Sequence, residues 1–374
     1  MRPQRLLAAA AAAAAAAAFA LSAHAVAHPA PGTSVVHAID VGTGLSIFVE
    51  GADFTLLYDA GSQDNSAGGR DNRVLTYLRH VRPEMTKLDH LILSHPHEDH
   101  VQMMDEVLAA YDVDHVWDSG SFNPTCGYMT FVKAVAEEPG VVYRTAGGQA
   151  ARAETFGTCG DQTIPASVPI SFGDTEFLGR RATMRVLHAD NLRRGSDLNN
   201  GSLVVRLDLG GKGLLLVGDA EAGGRTSPSV QPGPRSAEGI LLDRFPEALR
   251  SDILVVGHHG SSTSSRTSFL DAVGANHYVI SSGPTKYHGL TLPDREIETA
   301  LRNRRDRRTL WKTYLNDAAC ARGRPKIGLD DRSPGGCHNV RIVIQAGGAI
   351  VGRYFRATDA CSQRQAPCRQ RSRR

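Results

Sequence analysis

The sequence contains few aromatic residues and carries almost no net charge. Aromatic side chains make up 6% of its 374 residues, and its formal net charge is +3. The sparse aromatic residues do not indicate a stacking platform for single-stranded nucleic acid, and the near-neutral charge does not by itself point to a partner. The hydrophobic content of 41% is that of a globular protein with an adequate core, and the length accommodates one large domain or two ordinary ones.

Long hydrophobic runs are absent after the N-terminus. Arg2 and Arg5 precede an alanine-dominated run from Leu6 to Leu21, and the small residues of Ala23–Ala27 fit a signal-peptidase site. A membrane anchor is the alternative, but alanine is only weakly apolar and the run is short for a spanning helix. We therefore predict a signal peptide over residues 1–27, a secreted or periplasmic protein, and no stable membrane span after cleavage.

The cysteines lack the Cys-x-x-Cys spacing of a zinc–thiolate site, although such a site remains the alternative to disulfides. There are six, all after the predicted signal peptide, and an even set in an exported protein predicts disulfide bonds. They form three sequence-local pairs: Cys126 with Cys159, Cys320 with Cys337, and Cys361 with Cys368. About fifteen connectivities are possible, and proximity in sequence is only a mild guide among them.

A dense group of potential metal ligands follows the apolar run Leu88–Leu93. His95, His97, Asp99 and His100 lie within six residues, and imidazole and carboxylate are the ligands that zinc, manganese and iron favour. Alternate residues of an extended segment point the same way, so His95 and His97 can converge on one ion. Asp99 and His100 are adjacent and diverge, so they can serve a second ion. A solvated, histidine-rich loop without function is the alternative.

Two further apolar runs end in potential ligands. The run Gly213–Val217 leads into Gly218 and Asp219, and the run Asp252–Val256 leads into His258 and His259. Alone, a Gly-Asp pair indicates only a turn, and a histidine pair is equally well explained as buried and hydrogen-bonded. Three strand ends that each deliver His or Asp favour one shared metal site.

These motifs, in this order, resemble the metallo-β-lactamase superfamily. The HxHxDH motif of that family matches His95, His97, Asp99 and His100; its bridging aspartate matches Asp219, and its last histidine ligand matches His258. The chain is most similar to the hydrolase domain of ComEC-type DNA-internalisation competence proteins. That resemblance is carried by four further segments in the family order: Ile39–Gly44, Leu57–Gly61, Asn199–Val204 and His258–Ser261. It implies a four-layered αβ/βα sandwich over residues 33–356, followed by a basic, cysteine-containing tail over 357–374.

The sequence departs from the family pattern at three places. Leu45 stands where the subfamily has Asp, and the third ligand histidine of true β-lactamases is missing, with Asn199 or Asp197 as its replacement. His188 could reach the site, but a histidine at a strand end is more often structural. The late Tyr-Gly-His-Pro pattern is altered to Tyr287–Leu290, which places the role of His288 in question.

The predicted secondary structure consists of two successive strand–helix halves. Strands are predicted over Ser34–Asp40, Leu45–Val49, Thr55–Tyr58, Leu88–Leu93, the block Met184–Val217, the run before His258 and Asn276–Ser281, with a closing hairpin over Asn339–Phe355. Helices are predicted over Asn72–Arg82, Val101–Tyr111, Met129–Glu138, Ala237–Leu249 and Asp294–Asn303. We expect mostly loop over Gly120–Gly179 and a flexible insertion over Ser227–Ser236.

The function implied is that of a secreted hydrolase with a metal-activated water. One or two Zn²⁺ ions, or Mn²⁺, would be held by His95, His97, Asp99, His100, Asp219 and His258, with Asp99 and Asp219 also catalytic. Substrate contacts are expected from Asn199, His259, Ser261, Ser262 and His288. The resemblance implies a phosphodiester substrate, with extracellular DNA as the nucleic-acid partner, and no protein partner is predicted. The alternatives are hydrolysis of a lactam, lactone or thioester, and an exported binding protein without turnover.

Two basic stretches bear on the nucleic-acid hypothesis. The run Arg302–Arg308 and the tail Arg364–Arg374 are both rich in arginine. A solvated helix face and a disordered end explain them, and the alternative is an electrostatic footprint for a polyanion.

Overall fold

The structure of this protein is a computed structural model that describes residues 28–64, 69, 72–193, 195–287, 289–304, 309–313 and 338–356. The predicted signal peptide, His288, residues 305–308 of the basic run, Cys320, Cys337 and the tail with its two cysteines lie outside the described residues. Among the helices that are described, none has the length and apolarity needed to cross a bilayer.

Eighteen strands and seven helices make up the described part of the chain. The strands are β1 (Ser34–Ala38), β2 (Ile47–Glu50), β3 (Thr55–Tyr58), β4 (Lys87–Leu93), β5 (Asp112–Asp118), β6 (Val142–Thr145), β7 (Arg152–Thr155), β8 (Asp161–Ile164), β9 (Val168–Pro169), β10 (Glu176–Gly179), β11 (Ala182–His188), β12 (Val204–Leu209), β13 (Gly213–Leu216), β14 (Ile253–Val255), β15 (His277–Ile280), β16 (Thr309–Lys312), β17 (Val340–Ile344) and β18 (Ile350–Tyr354). The helices are α1 (Arg73–Val81), α2 (Glu98–Val101), α3 (Met104–Leu108), α4 (Cys126–Glu137), α5 (Ala237–Arg244), α6 (Thr267–Val273) and α7 (Arg295–Arg302).

The strands form two large sheets and one small hairpin. The first sheet has the order β18-β17-β1-β2-β3-β4-β5-β6-β9, the second has the order β10-β11-β12-β13-β14-β15-β16, and β7 pairs with β8. The closing hairpin predicted near the C-terminus is confirmed as β17 and β18, and β17 pairs with β1 at the far edge of the first sheet.

Alternation along the strands explains why the two sheets stack in the middle of four layers. Leu214 and Leu216 of β13 pack into the apolar layer between the sheets, whereas Leu215 faces the cluster that α5, α6 and α7 cover. On the first sheet, Ile92 faces the middle layer and Leu91 faces the cluster shared with α1, α3 and α4. Helices, sheet, sheet and helices therefore follow one another, which confirms the predicted αβ/βα sandwich.

Local signals set the helix ends. The side chain of Asn72 accepts a hydrogen bond from the Leu75 N–H and caps α1. The predicted helix over Ala237–Leu249 ends early, at Arg244, because Pro246 disfavours helical geometry at the residue before it. The predicted helix over Val101–Tyr111 is divided into α2 and α3, because the Met103 N–H bonds to the Ala60 carbonyl beside β3.

The segment Gly120–Gly179 contains more regular structure than predicted. The predicted helix there is present as α4, but β6, β7, β8 and β9 also occupy the segment, and β10 reaches its end. These strands have two to four residues each, and those of the β7–β8 hairpin are largely half-buried or exposed. Strands this short carry no apolar periodicity that the sequence could reveal.

Two connections hold loops in place. Cys126, at the start of α4, lies opposite Cys159 with a Cα–Cα distance of 5.6 Å, which suits a disulfide. The insertion Ser227–Ser236, predicted to be flexible, is instead anchored at its start, because the buried Arg266 guanidinium donates to the carbonyls of Gly224, Thr226 and Ser227.

Parallel pairing aligns the strand ends that matter for function. β3, β4 and β5 are parallel neighbours in the first sheet, and β13, β14 and β15 are parallel neighbours in the second. Because the carboxyl ends of parallel strands meet at one edge, the segment after β4 emerges beside those after β3 and β5 in the first sheet, and the segments after β13 and β14 emerge together in the second.

Candidate metal centre

The segment after β4 carries the first group of candidate ligands. Ser94 to His97 form a loop at the end of the strand, and α2 begins at Glu98, so that Asp99 and His100 occupy its first turn. His95, Asp99 and His100 are buried, His97 is half-buried, and Glu98 is exposed between them.

A close approach of two strand exits brings Asp219 to these histidines. Gly218 has a φ of 53°, and a Cβ there would lie 2.7 Å from the Ser94 Cβ. Only glycine therefore allows the segment after β13 to pass this close to the segment after β4. The Asp219 N–H then donates to Ser202 Oγ at 3.1 Å.

The histidine pair after β14 has an uncommon backbone. His258 has φ 49° and ψ 47°, and His259 has φ 53° and ψ 22°, so that both residues adopt the left-handed conformation. Such a conformation costs a non-glycine residue about 1–3 kcal/mol and is often found where function requires it. It turns two adjacent imidazoles toward different parts of the same carboxylate.

The two oxygens of Asp219 face two different sets of imidazoles. Oδ1 lies 3.2 Å from His100 Nε2 and 3.5 Å from His259 Nε2. Oδ2 lies 3.8 Å from His95 Nε2 and 3.7 Å from His258 Nε2. A carboxylate placed in this way can be shared between two cations.

Asp99, His100, Asp219 and His259 form the first set, and it fits a divalent ion. One candidate ligand atom from each lies within 4.8 Å of the others, and all four side chains are buried. His100 Nε2 and His259 Nε2 lie within 3.5 Å of Asp219 Oδ1, but none of the three atoms forms a hydrogen bond of good geometry within the described part of the chain. Buried polar atoms without partners are costly, and a cation at their centre would satisfy all of them at once.

The second set lies on the other side of Asp219. His95 Nε2 is 2.9 Å from His97 Nδ1, and both belong to the loop after β4. His258 approaches from the opposite sheet, and Asn199 Nδ2 lies 3.4 Å from its Nε2. This set therefore brings together three imidazoles, an oxygen of Asp219 and an adjacent amide.

Three of the histidines are held by oxygen atoms at Nδ1, which leaves Nε2 directed at Asp219. Nδ1 of His100 lies 2.8 Å from Asp59 Oδ2, and Nδ1 of His259 lies 2.9 Å from the Ser281 carbonyl. Nδ1 of His258 lies 2.7 Å from Thr263 Oγ1 and 3.2 Å from Glu221 Oε1. A partner at one ring nitrogen fixes the tautomer that presents the other nitrogen to a metal.

Electrostatics within the cluster favour a bound positive charge. Burial disfavours the charged form of His100, but the carboxylates of Asp219, Asp99 and Asp59 outweigh it and hold its pKa well above the ordinary value. Burial would raise the pKa of Asp219, yet the surrounding histidines, chiefly His100, hold it well below the ordinary value. The surrounding carboxylates would thus stabilise a divalent ion, whose binding would displace any proton from His100.

The remaining predicted site residues take different positions. Ser261 and Ser262 are buried; Ser261 Oγ accepts from Arg225 at 3.1 Å, and the Ser262 N–H donates to Asp294 at 2.7 Å. These contacts hold the loop after β14. His288 lies outside the described residues.

The residues at which the sequence departs from the family pattern make different contacts. Leu45 is buried in the layer between the sheets, and its N–H donates to the Asp99 carbonyl. Asp197 pairs with Arg193 at 2.6 Å, so Asn199 is the one of the two that reaches the cluster. His188 bonds to the Asn200 carbonyl at 2.8 Å, which is a structural contact.

Sequence reasoning did not single out Tyr287 or Glu221, and it quoted Asp59 only as part of a motif. The Tyr287 hydroxyl donates to Asp99 Oδ2 at 2.6 Å, and its ring stacks on that of His259 with centroids 5.6 Å apart. The available signal for Tyr287 was its place beside His288 in the altered pattern. Glu221 had no signal beyond its position two residues after Asp219.

One family profile and several known proteins are similar to parts of this chain. Residues 39–188 match the profile of the family described as the metallo-beta-lactamase superfamily. Among solved structures, the metallo-beta-lactamase fold protein YhfI from Bacillus subtilis has a TM-score of 0.40 and 14% identity, over 75% of this chain and 96% of that one.

Two curated relatives are named for competence and recombination. Competence protein ComA from Neisseria gonorrhoeae is 30% identical over 245 residues, which are 65% of this chain and 26% of that protein. Recombination protein 2 from Haemophilus influenzae is 27% identical over 248 residues, which are 66% of this chain and 24% of that protein. The chain thus spans about a quarter of the length of these relatives. Residues 39–188 thus form a metallo-β-lactamase superfamily domain, and the chain resembles part of the ComEC-type competence proteins.

Proposed function

We propose that this hydrolase is an exported phosphodiesterase that requires divalent metal and acts on extracellular DNA. The observation that carries the proposal is the pair of ligand sets on the two oxygens of Asp219. Each set combines imidazole nitrogen with carboxylate oxygen, which suits zinc and also manganese.

Different residues would hold the two ions. His95, His97 and His258 would hold one ion, Asp99, His100 and His259 the other, and Asp219 both. Bound ions supply an activated water and polarise a phosphoryl oxygen.

The protein's own groups would fix this arrangement. Asp59 keeps His100 in the tautomer that binds metal through Nε2. Asn199 lies beside His258 through Nδ2, and its buried Oδ1 has no hydrogen-bond partner among the described residues. The buried carboxylate of Asp99 would orient the attacking water.

A phosphodiester substrate is favoured over a lactam for two reasons. The second set has Asn199 next to His258 where β-lactamases have a third histidine, and an amide oxygen suits a harder ion and a charged phosphate. The relatives named for competence and recombination connect this type of domain with DNA.

Export is part of the proposal. It is supported by the alanine-rich N-terminal run and by the position of Cys126 opposite Cys159. N-terminal sequencing of the secreted or periplasmic protein should begin near Val26 or His28, and thiol titration under denaturing conditions should find no free cysteine. An intact Met1 with six free thiols would refute export.

The substrate is tested with purified protein loaded with zinc or manganese. The panel contains plasmid DNA, single-stranded DNA, bis-p-nitrophenyl phosphate and nitrocefin. We expect cleavage of DNA and of the phosphodiester, abolished in Asp99→Ala, with rates on DNA that fall steeply as salt rises through counterion release. Glu98→Gln, which changes the exposed residue between the ligands, is the matched control. Turnover of nitrocefin without cleavage of any phosphodiester would reject the proposal.

A further inference from the structure

A tyrosine hydroxyl lies beside the first ligand set. Three side chains contact the Asp99 carboxylate within the described residues: His100, His259 and Tyr287. Of the three, Tyr287 alone carries a hydroxyl, and it donates to Oδ2 at 2.6 Å. The same oxygen lies 3.2 Å from His259 Nε2, so it is the one that faces the cluster.

Tyr287 is more exposed than the candidate ligands that it contacts. Asp99, His100 and His259 are each 3% exposed or less, whereas Tyr287 is half-buried. Its ring stacks nearly parallel on His259, at an angle of 13°. A substrate oxygen that reaches these ligands from solvent on this side would therefore meet the Tyr287 hydroxyl.

The loop that carries Tyr287 is fixed to the other half of the fold. The Thr285 N–H donates to Thr43 Oγ1 at 2.9 Å, and Thr285 Oγ1 donates to Asp64 Oδ1 at 2.6 Å. A Cβ at Gly283 would lie 2.1 Å from the Thr43 backbone nitrogen, so glycine is needed for this approach. A donor on an anchored loop is preorganised, which is what stabilisation of developing charge requires.

We propose that Tyr287 is a catalytic residue that donates a hydrogen bond to an oxygen of the phosphodiester in the reaction assigned above. The inference rests on the proposed function and adds a residue that acts on the substrate itself. A cation held by Asp99 would make its Oδ2 a weaker acceptor, which would leave the Tyr287 hydroxyl hydrogen for a more negative substrate oxygen.

The phenol keeps its proton throughout the reaction. Water adds to phosphorus, the phosphorus–oxygen ester bond breaks, and a proton from that water ends on the leaving oxygen; Tyr287 donates only a hydrogen bond.

The test compares Tyr287→Phe with the wild type, both loaded with the same metal. Phenylalanine keeps the ring that stacks on His259 and removes only the hydroxyl. Three quantities are measured: metal content by elemental analysis, the Kd for inorganic phosphate by calorimetry, and kcat and KM for bis-p-nitrophenyl phosphate. We expect unchanged metal content, phosphate binding weakened about tenfold, and kcat lowered on the order of 100-fold with a smaller change in KM.

Two further variants control the comparison. Tyr354→Phe removes a half-buried hydroxyl that bonds to the Lys312 N–H, away from the cluster, and should leave all three quantities unchanged. Thr285→Val removes the anchor to Asp64 and should lower kcat in the same direction but less, with metal retained.

The outcomes separate this inference from the proposed function. Equal kcat and equal phosphate affinity in Tyr287→Phe would overturn it, and so would loss of metal in proportion to activity, because the hydroxyl would then act only through Asp99. If the metal-loaded wild type cleaves no phosphodiester, the proposed function fails, and the difference in phosphate binding alone decides the role of Tyr287. Absence of phosphate binding by the wild type would also overturn it.

Discussion

Asp59 offers the sharpest test of the metal centre, because it touches a ligand without being one. Its carboxylate is fully buried and accepts from the Ser94 N–H at 2.6 Å, from Ser94 Oγ at 2.7 Å and from His100 Nδ1 at 2.8 Å. In Asp59→Asn one oxygen becomes an NH₂ group of nearly the same size. The oxygen can still accept from the Ser94 N–H, so the NH₂ group faces Ser94 Oγ and His100 Nδ1.

The expected effect follows from the tautomer of His100. A donor opposite Nδ1 forces that nitrogen to accept, which moves the imidazole proton to Nε2, the atom that faces Asp219 at 3.2 Å. A protonated Nε2 cannot bind metal. Loss of such an orienting partner typically weakens metal binding about 10- to 100-fold, which corresponds to about 1.4–2.8 kcal/mol.

The assay is a competition titration of zinc and manganese against a chromophoric chelator, with folding followed by circular dichroism. Asp118→Asn is the matched control, because Asp118 is equally buried at the end of β5 in the same sheet and binds the Tyr128 and Tyr143 hydroxyls instead of a histidine. Wild-type affinity for both ions in folded Asp59→Asn would refute the reasoning, and so would an equal loss in the control.

Three further predictions concern the site and its support. Metal analysis of His258→Ala and of His259→Ala should show the loss of one ion in each, because the imidazoles face different oxygens of Asp219; a full complement in either variant would contradict the assignment. Burial lowers the pKa of His90 to about 3, so between pH 6.5 and 5 only the unfolded chain takes up that proton. On this acidification the free energy of unfolding, measured by urea denaturation, should fall by about 2 kcal/mol more in the wild type than in His90→Asn. An equal fall in the two proteins would argue against this. Arg266→Ala should lower the free energy of unfolding by about 3 kcal/mol, because Arg266 donates to three carbonyls. The control Arg295→Ala, at an exposed residue, should leave it nearly unchanged. Equal urea midpoints for the two variants would contradict a stabilising role of Arg266.

The amino-acid sequence alone determined the fold class and the positions from which the ligands come. Apolar runs that end in His or Asp indicate strand ends. The parallel pairing of β13 with β14 aligns two of these ends, and the close approach of Gly218 to Ser94 brings them to the end of β4. The order of the motifs was sufficient for the family, because a family pattern is a property of the linear chain. The short strands between Gly120 and Gly179 escaped prediction, because two to four half-exposed residues carry no periodicity.

Only the tertiary structure decided how the ligands are divided and which side chains support them. The left-handed backbone at His258 and His259 separates two neighbouring imidazoles, and no composition or spacing reveals a φ angle. Tyr287 contacts Asp99, which lies 188 positions earlier in the sequence, because the nearby Thr285 hydrogen-bonds to Thr43 in the other half of the fold. Contacts between residues so distant in sequence depend on how the two sheets pack, so local pattern cannot specify them.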